Sequence, residues 1–193
     1  MAHRILFVCT GNTCRSPLAE GLLRILAGVK GLPVEVKSAG VAAMDGCSVS
    51  AHSASILRDK GFTGSITSQT LTGQLVGWAD LILTMTVNHK RSVIQQYPDS
   101  ADKTFTLKEY AEDDARVLEA VREHGELSAE LHMKQALGQP ISPQEWGRLR
   151  DMADRLPNYD IADPYGGSKA MYEHCAAEIE SSLYKLQGRL RAD

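Results

Sequence analysis

Arg4-Ile5-Leu6-Phe7-Val8-Cys9-Thr10-Gly11-Asn12-Thr13-Cys14-Arg15-Ser16-Pro17 reads as a strand, a polar turn and the start of a helix. Arg4–Cys9 is short, aliphatic and continuous in its apolar character, which predicts a buried strand. Gly11 gives the turn backbone freedom. Ser16 suits a helix cap and Pro17 the first helical turn, and Leu18, Leu22, Ile25, Leu26 and Val29 follow at helical spacing.

The alternation continues. Pro33–Ser38 predicts a second strand, Ala39–Ser50 a loop, Ala51–Lys60 a helix stopped by Gly61, and Leu71–Trp78 a short helix. Ala79–Met85 predicts the third strand, Asn88–Tyr97 a helix closed by Pro98, and Lys103–Leu107 a fourth strand. Strands separated by helices argue for an α/β fold, a doubly wound parallel sheet with helices on both faces. In such sheets ligands bind beyond the carboxyl ends of the strands, where Cys9 and Gly11 fall. The last helix, Ser168 to about Leu190, carries Met171, Cys175, Ile179, Leu183, Leu186 and Leu190 as a core stripe. Residues 111–159 read as a charged helical insertion. Ser142 and Glu145 make a capping box within it, and its apolar residues, among them Val117, Leu118, Leu131 and Leu137, need a surface to cover.

The chain of 193 residues suits one domain. A formal net charge of −3 supplies no global field for nucleic acid or an anionic membrane, so any anion site must concentrate positive potential locally. No run is long and apolar enough for a membrane span or a signal-peptide core, which predicts a cytoplasmic protein. The four cysteines, Cys9, Cys14, Cys47 and Cys175, contain no C-x-x-C pair. Reduced thiols are therefore expected rather than a zinc site, and no cofactor is expected.

Cys9 to Ser16 has the form Cys, five residues, Arg, Ser. A tight loop after a strand can turn successive backbone N–H groups inward as an anion nest, and the following helix adds its positive end. Thr10, Gly11, Asn12, Thr13, Cys14 and Ser16 would form that cradle, and Arg15 would close it by gripping two phosphate oxygens. A thiol in such a field is stabilised as the thiolate, the nucleophilic form. Ser16 would hydrogen-bond the sulfur. Phosphoryl transfer to a thiolate also needs a general acid. Asp163, in the Pro- and Gly-containing segment Asp163-Pro164-Tyr165-Gly166-Gly167, is the candidate, though on spacing alone it reads more readily as a turn residue.

The Cys9–Ser16 loop and Asp163-Pro164-Tyr165 together resemble the low-molecular-weight protein tyrosine phosphatase family, over residues 4–110 and 160–190. The resemblance implies a four-stranded parallel sheet and a metal-free two-step mechanism. In it Cys9 is the nucleophile, Arg15 binds phosphate and Asp163 is acid then base. Asn12 and Ser16 match residues that hold the loop's shape, and Ser38-Ala39-Gly40 a segment whose serine supports it. Thr13 stands where tyrosine phosphatases usually carry Ile and is typical of the protein-arginine phosphatase branch. Thr84-Met85-Thr86, His89-Lys90 and Thr106-Leu107-Lys108-Glu109-Tyr110 also look like that branch. Ile66 stands where the family often has His, and a single aromatic, Tyr165, follows the Asp-Pro pair. Cys9 and Cys14 match a pair that forms a reversible disulfide in the family, whereas Cys47 and Cys175 are read as bystanders.

The expected function is hydrolysis of phosphoarginine in proteins through a cysteinyl-phosphate, with Tyr165 contacting substrate and a protein-arginine kinase as counterpart. A tyrosine phosphatase with the same chemistry is the alternative. An arsenate reductase would need further cysteines to relay a disulfide, and a silent phosphoresidue-binding module would not need both Cys9 and Asp163.

Overall fold

The computed structural model describes residues 3–190. They divide into two compact units, one made of the chain up to Ala111 together with the chain from Tyr159, the other Glu112–Asn158.

The first unit is built on four parallel strands, β1 (His3–Cys9), β2 (Val34–Gly40), β3 (Leu81–Thr84) and β4 (Thr104–Thr106), in the order β2-β1-β3-β4. Its helices are α1 (Arg15–Lys30), α2 (Ala51–Asp59), α3 (Gly73–Trp78), α4 (Val87–Gln96), α5 (Leu107–Ala111) and, closing the chain, α8 (Lys169–Arg189). Side chains alternate across a strand, so β1 feeds two cores. Ile5 and Phe7 pack with Leu18, Leu22, Ile179 and Leu183 on the α1–α8 side, and Leu6 and Val8 with Leu71, Val76, Ile82 and Val93 on the other. The same parity puts Cys9 on the α1 side. The chain leaves β1 for β2 on one flank and takes β3 and β4 to the other, so the strand order reverses at β1 and opens a crevice beyond its carboxyl end.

Several boundaries differ from the sequence expectation. Ser16 does not cap α1. The helix begins at Arg15, and Cys14 precedes it with no side-chain cap, because the Ser16 hydroxyl is engaged inside the loop. β2 runs two residues past Ser38, with Ala39 and Gly40 pairing Val8 and Cys9. Thr72 and Thr86 cap α3 and α4 and set their starts. Leu71 thus lies outside α3, where it is buried in the second core. On α8, Met171 is half exposed, and Tyr172 is the buried side chain of the first turn.

The second unit holds α6 (Ala115–Ala136) and α7 (Pro143–Ala153). Ser142 and Glu145 form the capping box their spacing predicts, and Lys134 bridges Glu130 and Glu145 at 2.9 and 2.7 Å. Of its apolar residues Leu131 is fully buried, whereas Met133 and Leu137 are about two-thirds exposed. Among the described residues no helix is long and apolar enough to cross a membrane.

Candidate active site

The loop between β1 and α1 is held from outside by its carbonyls. Cys9, Thr10 and Thr13 accept hydrogen bonds from the amides of Val41, Ala42 and Ser50 at 3.0, 2.9 and 2.8 Å. The amides of Gly11 to Cys14 have no acceptor among the described residues. Backbone donors need partners, so these are the groups offered to an anion beside the N-terminus of α1. Asn12 sits at φ 52°, in the left-handed region that asparagine tolerates. Gly40 allows the close approach. A Cβ there would collide with the Thr10 carbonyl and the Asn12 amide.

A chain of side-chain hydrogen bonds runs from the thiol into the interior. Asn12 Nδ2 donates to both Ser16 Oγ and Ser38 Oγ at 2.8 Å. Ser38 in turn donates to Glu20 Oε2 at 2.5 Å. With one lone pair of Ser16 taken by Asn12, its hydroxyl lies between two acceptors, Cys9 Sγ at 2.9 Å and the Ala39 carbonyl at 3.4 Å, of which the sulfur is the nearer. Glu20 is buried, and burial raises its pKa against the opposing pull of Ser38 and of Arg24, which bridges it at 2.6 Å.

Arg15 and Asp163, distant in sequence, meet here. Arg15 Nη2 lies 2.7 Å from Asp163 Oδ2 and Nη1 contacts the Ile161 carbonyl at 3.4 Å. The arginine is buried, whereas the carboxylate is half exposed and also accepts the Tyr165 amide at 3.2 Å. The segment carrying Asp163 is pinned to the sheet. Ile161 N–H donates to the Met85 carbonyl, Val87 N–H to Asp160 Oδ1, and Lys108 to the Asp160 carbonyl, each at 2.8 Å. A cavity of about 390 Å³ joins these groups. Cys9, Thr10, Gly11, Thr13, Cys14 and Arg15 form its floor, and Asp163, Tyr165, Met44 and Cys47 its walls. Tyr165 is 79% exposed.

All four cysteines are free. Cys175 is fully buried in the core, where burial pushes its thiol up to about 12, so it is inert packing. Cys14 Sγ lies 3.3 Å from the Tyr172 hydroxyl, at the first turn of α8. Cys47 shares the cavity of Cys9 and Cys14, a placement its position in the chain did not suggest. Among the described residues no group of three His, Cys, Asp or Glu side chains is arranged to hold a metal.

Four residues of the site escaped the sequence reading. Gln69 donates its backbone N–H to Asn12 Oδ1 at 2.8 Å and its side-chain amide to the Ser38 carbonyl at 2.7 Å. It thus supports the loop next to the segment where Ile66 stands. Met44 is an exposed loop residue without a motif. Glu20 carried a faint signal, a carboxylate one turn beyond Ser16 on an otherwise apolar helix face. His89, noted only as part of a branch pattern, is buried, with Nε2 2.8 Å from Thr10 Oγ1 and Nδ1 2.8 Å from Thr86 Oγ1.

Burial, aided by the positive charge of Arg15, pushes His89 down to about 4 from its ordinary 6.5. Between those values the unfolded chain holds more protons, so stability rises with pH. The contribution is complete above about 6.5 and is lost as pH falls toward 4. A His89→Gln variant is expected to lose about 1–2 kcal/mol less stability than the parent between pH 7 and pH 5. Urea unfolding at the two pH values measures it, and parallel losses would refute it.

The chain's relatives fit this geometry. The model of the family "Low molecular weight phosphotyrosine protein phosphatase" matches residues 4–133. A protein-arginine-phosphatase of Geobacillus stearothermophilus is 34% identical over 100% of this chain and 99% of its own. The low molecular weight protein-tyrosine-phosphatase PtpB of Staphylococcus aureus is 30% identical, covering 95% and 96% of the two chains. The solved structure of the YwlE arginine phosphatase from Geobacillus stearothermophilus superposes with a TM-score of 0.70 at 34% identity, covering 98% of this chain and 94% of its own. The chain belongs to the low molecular weight phosphotyrosine protein phosphatase family, whose substrates are phosphorylated proteins.

Proposed function

We propose that this protein is a protein-arginine phosphatase working through a cysteinyl-phosphate. The observation that carries the reading is the single cavity lined by Cys9, Arg15, Asp163 and Thr13. In the first step the Cys9 thiolate attacks phosphorus in line and the P–N bond breaks. The loop amides and Arg15 hold the charge on the equatorial oxygens, and Asp163 gives its proton to the departing guanidine nitrogen. In the second step water, deprotonated by Asp163, attacks the cysteinyl-phosphate. The S–P bond breaks, phosphate leaves and the thiolate returns to its hydrogen bond with Ser16. Incoming phosphate competes with Asp163 for Arg15, and the released carboxylate takes up a proton from solvent before it acts as the acid.

Thr13 is the proposed filter between substrates. Thr13 lines the cavity beside Cys14, its hydroxyl 3.6 Å from that sulfur, and would offer a polar partner to a guanidinium that Ile would not. The Asp163 carboxyl adds a hydrogen-bonding partner for the guanidinium nitrogens. Tyr165, exposed at the cavity wall, would pack against the substrate stem. A protein-arginine kinase would supply the substrate, and both would act in the cytoplasm. The test is kcat/KM for phosphoarginine and phosphotyrosine peptides in the parent and in Thr13→Ile. The expected result is a phosphoarginine preference that shifts toward phosphotyrosine by about tenfold or more in the variant. A parent that prefers phosphotyrosine would overturn the arginine reading and keep the mechanism.

Cys14 is proposed as the resolving thiol for an oxidised Cys9. Peroxide would convert the Cys9 thiolate to a sulfenic acid, and the Cys14 thiol would displace water to form the disulfide. Activity lost to peroxide is expected to return with dithiothreitol in the parent and not in Cys14→Ser. Irreversible loss in the parent would sink the idea.

A further inference from the structure

We propose that His89 is a positioning residue for phosphate binding, which turns the Thr10 hydroxyl into a hydrogen-bond donor aimed at the phosphoryl group. The proposal rests on the reading of the Cys9 loop as the phosphate site. His89 lies in the first turn of α4, far from the loop in sequence, yet its ring is clamped between two threonine hydroxyls at 2.8 Å. The cap at the start of α4 assigns the tautomer. Thr86 Oγ1 already accepts the His89 backbone N–H at 3.2 Å. Among the described residues Nδ1 is the acceptor within reach of its own hydrogen, which favours the tautomer in which Nδ1 accepts and Nε2 carries the proton.

The consequence reaches the cavity. Nε2–H donates to Thr10 Oγ1, so the Thr10 hydroxyl hydrogen is left over. Thr10 Oγ1 makes no other hydrogen bond among the described residues, and the residue is exposed as part of the cavity floor next to Cys9. The hydrogen is thus available to an anion that fills the cavity. With the opposite tautomer Thr10 would present only lone pairs, which repel a phosphoryl oxygen. His89 makes the residue after the nucleophile a fixed donor, in addition to the loop amides and Arg15.

The test uses four variants of the full chain, with the inhibition constant for orthovanadate, kcat/KM on a phosphopeptide, and Tm. Thr10→Val removes the hydroxyl. His89→Asn keeps an amide near the place of Nδ1 but does not reach Thr10, whereas His89→Gln carries an N–H to the place of Nε2. The fourth is Thr10→Val combined with His89→Asn. Thr10→Val and His89→Asn are each expected to weaken vanadate binding and kcat/KM by about 10–100-fold. The double variant should be no worse than either single one, and His89→Gln should stay within about threefold of the parent at any change in Tm. Losses that multiply in the double variant, an equal loss in His89→Gln and His89→Asn, or no loss at all would overturn the role of His89 alone. A parent that binds no vanadate would overturn the phosphate-loop reading as well.

Discussion

Cys9→Ser is expected to lower kcat/KM by at least about 10³-fold while leaving the affinity for inorganic phosphate within about tenfold of the parent. The two effects separate because the groups involved are separate. The loop amides, the helix end and Arg15 are the groups proposed to hold the phosphate, and none depends on the sulfur. The hydroxyl that replaces it is a far weaker nucleophile at neutral pH, because an alcohol is much harder to ionise than a thiol. Trapping completes the measurement. Acid-quenched parent enzyme should carry one phosphoryl group on Cys9 during turnover. A Cys9→Ser variant with near-parental turnover would place the chemistry elsewhere.

Asp163→Asn is expected to lower kcat by about 10²–10⁴-fold on phosphoarginine, and by much less on an aryl phosphate whose leaving group departs without a proton. The leaving-group contrast identifies an acid, because a residue that merely shapes the cavity would slow both substrates alike. The same change removes the negative charge 2.7 Å from Arg15 Nη2 and so frees the guanidinium. Inorganic phosphate is therefore expected to inhibit the variant as well as or better than the parent. Equal losses on both substrates would remove Asp163 from the proton-transfer role, whatever the effect on binding.

The second prediction joins residues that the chain keeps far apart, whereas the first rests on residues 9–16, and the contrast shows how much could be read from order alone. The strand–loop–helix unit around Cys9 is legible because its information is local. A continuous apolar strand, a glycine and an arginine at fixed spacing specify a phosphate cradle within a few residues of one another. Helix ends were legible where a side chain caps its own backbone, as at Ser142 with Glu145. They were misread where a hydroxyl had a second suitor. Ser16 looks like a cap in sequence, but the buried Cys9 sulfur and Asn12 claim it.

Residue order alone therefore carried the parallel α/β class, the position of Cys9 at the end of the first strand, and the residue types proposed to grip phosphate. Only the tertiary structure decided how Arg15 and Asp163 pair across 148 positions, and that Gln69, Glu20 and His89 stabilise the loop from three directions. Those contacts join segments brought together by the crossover of strands around β1. A single polar residue on a distant segment carries no periodicity or spacing to announce its partner. Its role follows from burial, where every polar atom must find a hydrogen bond, and burial exists only once the sheet has closed over it.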